Sequence, residues 1–379
     1  MKYILTGGGT GGHVYPALAI SEEIKHRFPE SKCIYIGIKG KAEEKILKNF
    51  PDIELRIIKS RGLPSNKFSF KIIPFFISLI IGTIQSFLIL KKFKPEIIIG
   101  TGGYVSVPVF IAGKLLKCKL FIHEQNAVPG IANKMLGRIA DSIGVTFEKS
   151  KAFFPEKKVS VVGYPVRKSL ILFNKSESKR KFGISPEKKV IFIFGGSQGA
   201  KTINKVVVDS MTELLKLDNL AIIHGTGRYK DENYCAYEDT IKNLKEKGIH
   251  NSIPGKYIIK DYFEPINEAY SAADLVVSRA GAGTIMELSS LKIPAILIPK
   301  SDLPGNHQTL NAKMVEESGG AIIIKENTEK NKPYINKELF IKSITEIILN
   351  DNRLNEMSLN CLLYTSDAAD ELDGVDLGG

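Results

Sequence analysis

The sequence predicts an α/β protein of two similar halves, each a parallel sheet wrapped by helices. Short β-branched runs alternate with helical patterns from end to end, which is how βαβ units read. The alternation breaks once, at Gly163-Tyr164-Pro165 and the polar, Lys-rich stretch 174–181, and then restarts. Each half also opens on a strand that runs into a glycine-rich loop and a helix. At 379 residues the chain is long enough for about two domains, each with its own core.

In the first half, strands are expected at 2–6, 33–37, 55–58, 97–100, 120–124, 142–145 and 159–162, with helices at 16–28, 107–116 and 131–140 between them. In the second half, strands are expected at 190–194, 220–224, 257–259, 274–278 and 295–298. Two Rossmann-like domains facing across a cleft, with a hinge near residue 165, fit this order. The expected boundaries are 1–163 and 164–360. Residues 361–379 change character, with five acidic residues and no Lys or Arg. CLLYTSDAADE (361–371) resembles the translation of a sequencing-library adapter, so this tail is expected to be foreign to the fold and the genuine sequence beyond Asn360 to be missing.

Composition narrows the classes. With 43% hydrophobic and 25% charged residues, the chain is neither disordered nor a disulfide scaffold. Four distant cysteines without a CxxC argue against a zinc knuckle and suit the cytosol. The short run Tyr3-Ile4-Leu5 followed by glycines is not expected to be a signal peptide. The net charge of +12 would suit nucleic acid, anionic lipid or phosphorylated substrates. The absence of Trp disfavours a stacking platform for single-stranded nucleic acid.

The first loop, GGGTGGH (7–13), places glycines where backbone must approach a ligand, just before a helix whose N-terminus favours an anion. The spacing is not GxGxxG, and strand two ends without an acidic residue for a ribose, which weakens an NAD reading. His13 is either a structural histidine or a catalytic base at this helix start. The second loop, GGSQGA (195–200), repeats the strand–glycine–helix unit. Further on, Ser278-Arg279-Ala280-Gly281 leads to a helix expected at about Thr284, with Glu287 in its first turn. Glu287 is then either the N3 partner of a Thr284 capping box or a carboxylate for sugar hydroxyls.

Seven motifs occur in order: GGGTGGH (7–13), TGGYVSVP (101–108), HEQNAVPG (123–130), GYPVR (163–167), GGSQGA (195–200), SRAGAGTIME (278–287) and HQTLNA (307–312). Together, across about residues 1–350, they resemble glycosyltransferase family 28, and within it the enzymes that move N-acetylglucosamine from UDP to lipid I, the undecaprenyl-pyrophosphoryl-MurNAc-pentapeptide, in peptidoglycan synthesis. The resemblance implies a GT-B fold whose first domain takes the lipid acceptor and whose second takes most of the donor nucleotide. It implies an inverting transfer to the 4-hydroxyl of MurNAc, giving lipid II, at the cytoplasmic face of the plasma membrane. UDP-GlcNAc, lipid I, an anionic membrane surface and cell-wall synthesis proteins are the implied partners, and nucleic acid is not among them. By matching positions, Thr10, Gly11, Gly12, Asn126, Arg167, Ser197, Phe263, Ala282, Gly283, Thr284, Ile285, Met286, Glu287 and Gln308 are expected to bind substrate. Arg167 would hold the diphosphate, Glu287 the ribose, Phe263 would flank uracil, and Asn126 and Gln308 would touch the transferred sugar. Tyr164, where a small polar residue is usual, and His307, where a Gln pair is common, depart from the pattern. No DxD-type motif lies near the loops, so no metal and no cofactor are expected. His13 leads as general base, with Glu124 as runner-up or as the carboxylate fixing its own loop.

Residues 72–90 carry no charge and are flanked by Lys71, Lys91, Lys92 and Lys94. With Pro74 in the first turn, a helix body of sixteen residues would be about 24 Å long, short of the ~30 Å hydrocarbon core. Ser78, Gly82, Gln85 and Ser86 would pack on the domain, leaving Phe76, Ile80, Ile84 and Phe87 on another face. That face is either core or a membrane-resting patch, with the lysines on anionic headgroups. The rival readings are a glycolipid synthase acting on diacylglycerol, a UDP-N-acetylglucosamine epimerase and a non-enzymatic basic membrane-binding protein.

Overall fold

A computed structural model describes residues 1–64, 72–166, 170, 173–300, 306–329 and 332–366. Contacts divide the chain into two units between Ser169 and Leu170. The first contains β1 (Lys2–Thr6), α1 (Gly11–Arg27), β2 (Lys32–Gly37), α2 (Ala42–Ile46), β3 (Glu54–Ile57), α3 (Ile72–Phe93), β4 (Ile97–Gly100), α4 (Ser106–Leu115), β5 (Lys119–Glu124), α5 (Ile131–Leu136), β6 (Ser142–Val145) and β7 (Val159–Val161). Its seven strands form one parallel sheet in the order β3-β2-β1-β4-β5-β6-β7. Strands buried on both faces read as continuous apolar runs, and Tyr3, Ile4 and Leu5 of β1 have no exposed surface.

The chain reverses its winding direction between β1 and β4, and the loops that follow these strands leave the same end of the sheet side by side. Such a reversal opens a crevice at the carboxyl ends of the strands, where ligands of α/β sheets bind. In register, Thr6 stands beside Gly100 and Gly100 beside Ile122, so the loops after β1, β4 and β5 are neighbours.

The second unit contains α6 (Lys175–Lys181), β8 (Lys189–Phe194), α7 (Lys201–Leu214), β9 (Leu220–Gly225), α8 (Ala236–Glu246), β10 (Tyr257–Lys260), α9 (Ile266–Ala272), β11 (Leu275–Ser278), α10 (Ala282–Ser290), β12 (Ala295–Leu297), α11 (His307–Glu317), β13 (Ala321–Ile323), β14 (Asn327–Glu329), β15 (Lys332–Tyr334), α12 (Lys337–Ile348) and α13 (Asp351–Ser366). Six strands form a parallel sheet ordered β10-β9-β8-β11-β12-β13, and β14 pairs with β15 as a separate hairpin. Here the reversal lies between β8 and β11, so the two glycine loops of this unit are neighbours too.

Several elements differ from expectation. α1 starts at Gly11 rather than near Pro16, which puts His13 in its first turn and Pro16 inside the helix. The Lys-rich stretch at 174–181 folds as α6, capped by Asn174, whose Oδ1 accepts from Glu177 N at 3.0 Å, and Lys179 is buried against Asp274 at 3.0 Å. α3 spans 22 residues, about 33 Å at 1.5 Å per residue, and is long and apolar enough to cross a membrane. The boundary expected at Asn360 falls inside α13, where Cys361 is buried and its thiol faces the carbonyls of Ile293 and Gly320 at 3.6 Å. Residues 367–379 lie outside the described residues.

The second unit carries a buried polar relay. The Tyr257 hydroxyl donates to His224 Nδ1 (2.9 Å), and His224 Nε2–H donates to Asn204 Oδ1 (3.2 Å). The Asn204 amide donates in turn to the Thr226 carbonyl (2.9 Å). Burial without a charged partner lowers the His224 pKa from 6.5 to about 3. The unfolded chain therefore binds a proton near pH 6.5 that the folded chain refuses until about pH 3. Stability is full above pH 6.5 and is lost as pH falls through this window, at up to about 1.4 kcal/mol per pH unit for this group. Urea midpoints between pH 7 and 4 are expected to fall with pH, and His224→Gln to flatten that slope. An unchanged slope would remove His224 as its source.

Candidate functional site

In the first unit, two glycine turns lie backbone against backbone. Gly8 N–H donates to Gly102 O at 3.2 Å, and a Cβ on Gly103, whose φ is +82°, would stand 2.6 Å from Gly8 O. Beneath them, the fully buried Glu43 accepts from Gly9 N and Ile38 N, both at 3.0 Å, and pins the loop after β1 to the end of β2.

α1 emerges from this platform with extended Thr10 at its N-cap, no side-chain cap and no acid in its first turn. Gly12 is exposed and Gly11 half-buried, so the positive end of the helix is open to an anion. His13, half-buried in that turn, is held twice by Thr101. The Thr101 hydroxyl donates to His13 O (2.6 Å), and His13 Nδ1 meets Thr101 O at 2.9 Å. A second acceptor, Gln125 Oε1, faces the same nitrogen at 3.3 Å. Two acceptors oblige Nδ1 to carry a proton, so in the neutral ring Nε2 is the lone pair, and Nε2 has no hydrogen-bond partner among the described residues.

Glu124 is placed otherwise than a base requires. Its carboxylate is 1% exposed and receives N–H groups from Asn126 N (2.9 Å), Asn126 Nδ2 (3.1 Å), Gly130 N (3.3 Å) and Asn133 Nδ2 (2.8 Å). Its acceptor sites face donors, so Glu124 clasps its own loop, the alternative that the sequence set beside a base role. Asn126 is half-buried, with its amide turned to that carboxylate.

In the second unit, GGSQGA forms a tight turn. Gly196 and Gly199 take φ of +88° and +81°, Gly199 N–H donates to Gly196 O, and Ser197 is exposed at the tip. A Cβ on Gly199 would meet Thr226 O at 1.9 Å, so only glycine lets this turn lie on the loop after β9. Beside it α10 begins at Ala282 with Gly281 as N-cap, no side-chain cap and no acid in the first turn. Glu287 therefore falls in the second turn, and the capping-box alternative with Thr284 does not hold. The Tyr270 hydroxyl donates to its Oε2 at 3.1 Å. Gly283 and Thr284 are half-buried, while Ala282, Ile285 and Met286 turn their side chains inward and can meet a ligand through backbone only.

The Phe263 ring is buried edge-on to Phe182 and Phe192, so little of its face is open to a base. Gln308, in the first turn of α11, accepts from Lys300 N at 2.9 Å. Arg167 lies outside the described residues. Sequence reasoning missed Thr101, Gln125 and Glu43, and also Arg279. The Arg279 guanidinium joins Glu326 (2.7 Å), Thr202 (2.8 Å) and Ile298 O (3.1 Å), tying the start of α7 to the loop before α10. Among the described residues no three His, Cys, Asp or Glu side chains gather as metal ligands.

α3 seats Gly82, Ser86 and Leu90 on the first unit. Gln85 Oε1 accepts from Lys59 N at 2.7 Å, and a Cβ on Gly82 would stand 2.2 Å from Lys59 O. Of the face the sequence left open between core and membrane patch, Phe76, Ile80 and Ile84 are more than half exposed, together with Ile73, Ile77 and Leu88. Phe87 departs from that face: it is half-buried and packs against the core. The exposed Lys91 and Lys92 follow in the last turn.

Comparisons with known proteins agree across both units. The sequence model of the glycosyltransferase family 28 N-terminal domain matches residues 3–145, and that of the family 28 C-terminal domain matches residues 190–372. A UDP-N-acetylglucosamine--N-acetylmuramyl-(pentapeptide) pyrophosphoryl-undecaprenol N-acetylglucosamine transferase of Bacillus pumilus (strain SAFR-032) is 37% identical over 376 residues, covering 99% of this chain and 98% of the relative. Its namesake in Bacillus subtilis (strain 168) is 36% identical over 358 residues, 94% of this chain and 93% of the relative. The crystal structure of Acinetobacter baumannii MurG superposes with a TM-score of 0.69 at 26% identity, covering 99% of each chain. UDP-GlcNAc 2-epimerase from Neisseria meningitidis shares the fold, with a TM-score of 0.63 at 15% identity over 98% of this chain and 100% of its own.

Proposed function

We propose, since this chain belongs to glycosyltransferase family 28, that it transfers N-acetylglucosamine from UDP-GlcNAc to the 4-hydroxyl of MurNAc in lipid I, yielding lipid II and UDP. The observation that carries this reading is near-full-length identity of 36–37% to transferases of that name. It favours lipid I over diacylglycerol as acceptor. The epimerase likeness, at 15% identity, speaks for the GT-B fold alone.

The step is a direct displacement. The acceptor O4 attacks the anomeric carbon, the bond to the UDP oxygen breaks, and α configuration becomes β. The hydroxyl proton goes to His13 Nε2, and the electron pair of the broken bond leaves with UDP. His13 suits the base role because its other nitrogen already holds the ring proton, which leaves Nε2 to accept one. The open N-terminus of α10 and the Ser197 turn receive the diphosphate, whose growing negative charge is stabilised by backbone N–H groups and the helix dipole. Arg167 adds a guanidinium suited to two phosphate oxygens. Glu287 accepts from ribose hydroxyls, while Asn126 and Gln308 orient the sugar. The helix N-terminus and Arg167 supply the positive field that a metal would otherwise provide. Incubating the protein with labelled UDP-GlcNAc and a lipid I analogue is expected to give the disaccharide product. Product with diacylglycerol but none with lipid I would overturn the reading.

The acceptor is membrane-bound, and α3 gives the first unit a means of reaching it. Its apolar stripe rests among acyl chains at the cytoplasmic face, with Lys91 and Lys92 at anionic headgroups. With Gly82, Ser86 and Leu90 seated on the unit, the helix lies on the surface rather than across the bilayer. Ile80→Asp combined with Ile84→Asp is expected to weaken flotation with phosphatidylglycerol vesicles at least about tenfold, since two exposed apolar side chains that would enter the acyl region are replaced by charges repelled by the surface. Unchanged flotation would exclude the stripe as the anchor.

A further inference from the structure

Gln125 stands between two histidines, and its amide can be oriented without ambiguity. One end faces the His123 carbonyl at 2.9 Å, which accepts only a donor, so that end is the NH₂. The other end, Oε1, therefore faces His13 Nδ1. His123 is fixed in the same way. Its Nε2 meets the carbonyl of Gly163 at 2.9 Å and must carry the proton, so its Nδ1 accepts from the Gln125 amide at 3.2 Å. The result is a chain in which every member donates onward: His13 to Gln125, Gln125 to His123, His123 to the Gly163 carbonyl.

We propose that Gln125 is a positioning residue for the transfer, holding the proton of His13 on Nδ1 so that Nε2 stays free to accept the proton of the acceptor hydroxyl. The proposal rests on the reading of His13 as base. Thr101 O alone fixes one direction of the imidazole, and Gln125 Oε1 supplies a second acceptor that a flipped ring or the other tautomer would leave unpaired. Gln125 is itself 1% exposed, so water cannot readily take over its contacts. Bonds that all run in one direction also polarise one another, which makes Oε1 a better acceptor as His13 becomes imidazolium. Burial keeps His123 neutral, its pKa lowered from 6.5 to about 4, so the chain does not reverse in the neutral range.

The ionisable groups around His13 leave its Nδ1 to this amide and Thr101. Glu43 is bonded to Gly9 and Ile38, Glu124 to its own loop, and the Tyr35 hydroxyl to Gly7 O. Gly102 closes the remaining side, where a Cβ would come within 3.0 Å of the imidazole.

The test compares wild type, His13→Ala, Gln125→Met and Gln125→Glu by kcat and KM across pH, by nitrogen-15 spectra of the imidazoles and by thermal midpoints. Gln125→Met keeps the bulk and is expected to lower kcat about tenfold with KM for UDP-GlcNAc unchanged, and to show a second His13 tautomer. Gln125→Glu places a carboxylate on Nδ1–H and is expected to move the acid limb of kcat/KM about one unit to higher pH, because a nearby opposite charge favours the imidazolium. Wild-type kcat, acid limb and imidazole spectra in both folded variants, with His13→Ala inactive, would overturn the role of Gln125 alone. Wild-type turnover in His13→Ala would overturn the base reading and this proposal with it.

Discussion

His13→Ala is expected to lower kcat by about 10²- to 10⁴-fold, the range over which a positioned general base contributes. UDP binding, measured by calorimetry, is expected to stay within about twofold, because the groups assigned to the nucleotide are Arg167 and residues of the second unit, and His13 is not among them. The effect should be catalytic rather than structural. His13 is half-buried in the first turn of α1, and its loss removes the Nδ1 contacts to the Thr101 carbonyl and to Gln125 Oε1, a matter of about 1–3 kcal/mol. The Thr101 hydroxyl keeps its bond to the His13 carbonyl whatever the side chain. If turnover falls while KM for UDP-GlcNAc holds, the lost interaction is one made in the transition state. Near-normal turnover would remove His13 from the chemistry.

The sheets and the glycine loops were legible because they are local. Continuous apolar runs mark buried parallel strands, and a glycine turn between a strand and a helix needs only adjacent residues. Elements with little local signal were not. β13, β14 and β15 are three residues each, and Pro16 suggested a helix start five residues beyond the true one at Gly11.

On α3 the choice between steps of three and four residues decides which side chain faces out. The step from Ile84 ends on Leu88, which is exposed, and Phe87 turns to the core. The TxxE pattern at Thr284 reads as a capping box only if the helix starts at Thr284, and it starts at Ala282. What surrounds His13 is tertiary throughout. Thr101 lies 88 residues away and Gln125 lies 112, so no spacing in the sequence announces them. The motifs TGGYVSVP and HEQNAVPG contain these two residues, and only the register of β1, β4 and β5 shows that they converge on one imidazole.

Glu124→Ala is expected to destabilise the first unit by about 3 kcal/mol or more, seen as a lower urea midpoint with the slope unchanged. The carboxylate satisfies four N–H contacts in a site with 1% exposure, and hydrogen bonds to a charged group contribute about 1.5–3 kcal/mol each. Removing it leaves the Asn133 amide, on α5, and the N–H groups of Asn126 and Gly130 to find water in a space that excludes it. Glu124→Gln keeps the shape but turns an NH₂ toward donors, so a smaller loss of the same sign is expected. Because Asn126 hangs on Glu124 through both its backbone and its side chain, KM for UDP-GlcNAc should rise in either variant while the pH profile of the remaining activity keeps its wild-type form. A base would behave in the opposite way, with stability unchanged, kcat reduced about a hundredfold or more, and the acid limb lost. That second pattern would return Glu124 to the chemistry and leave its four donors without an explanation.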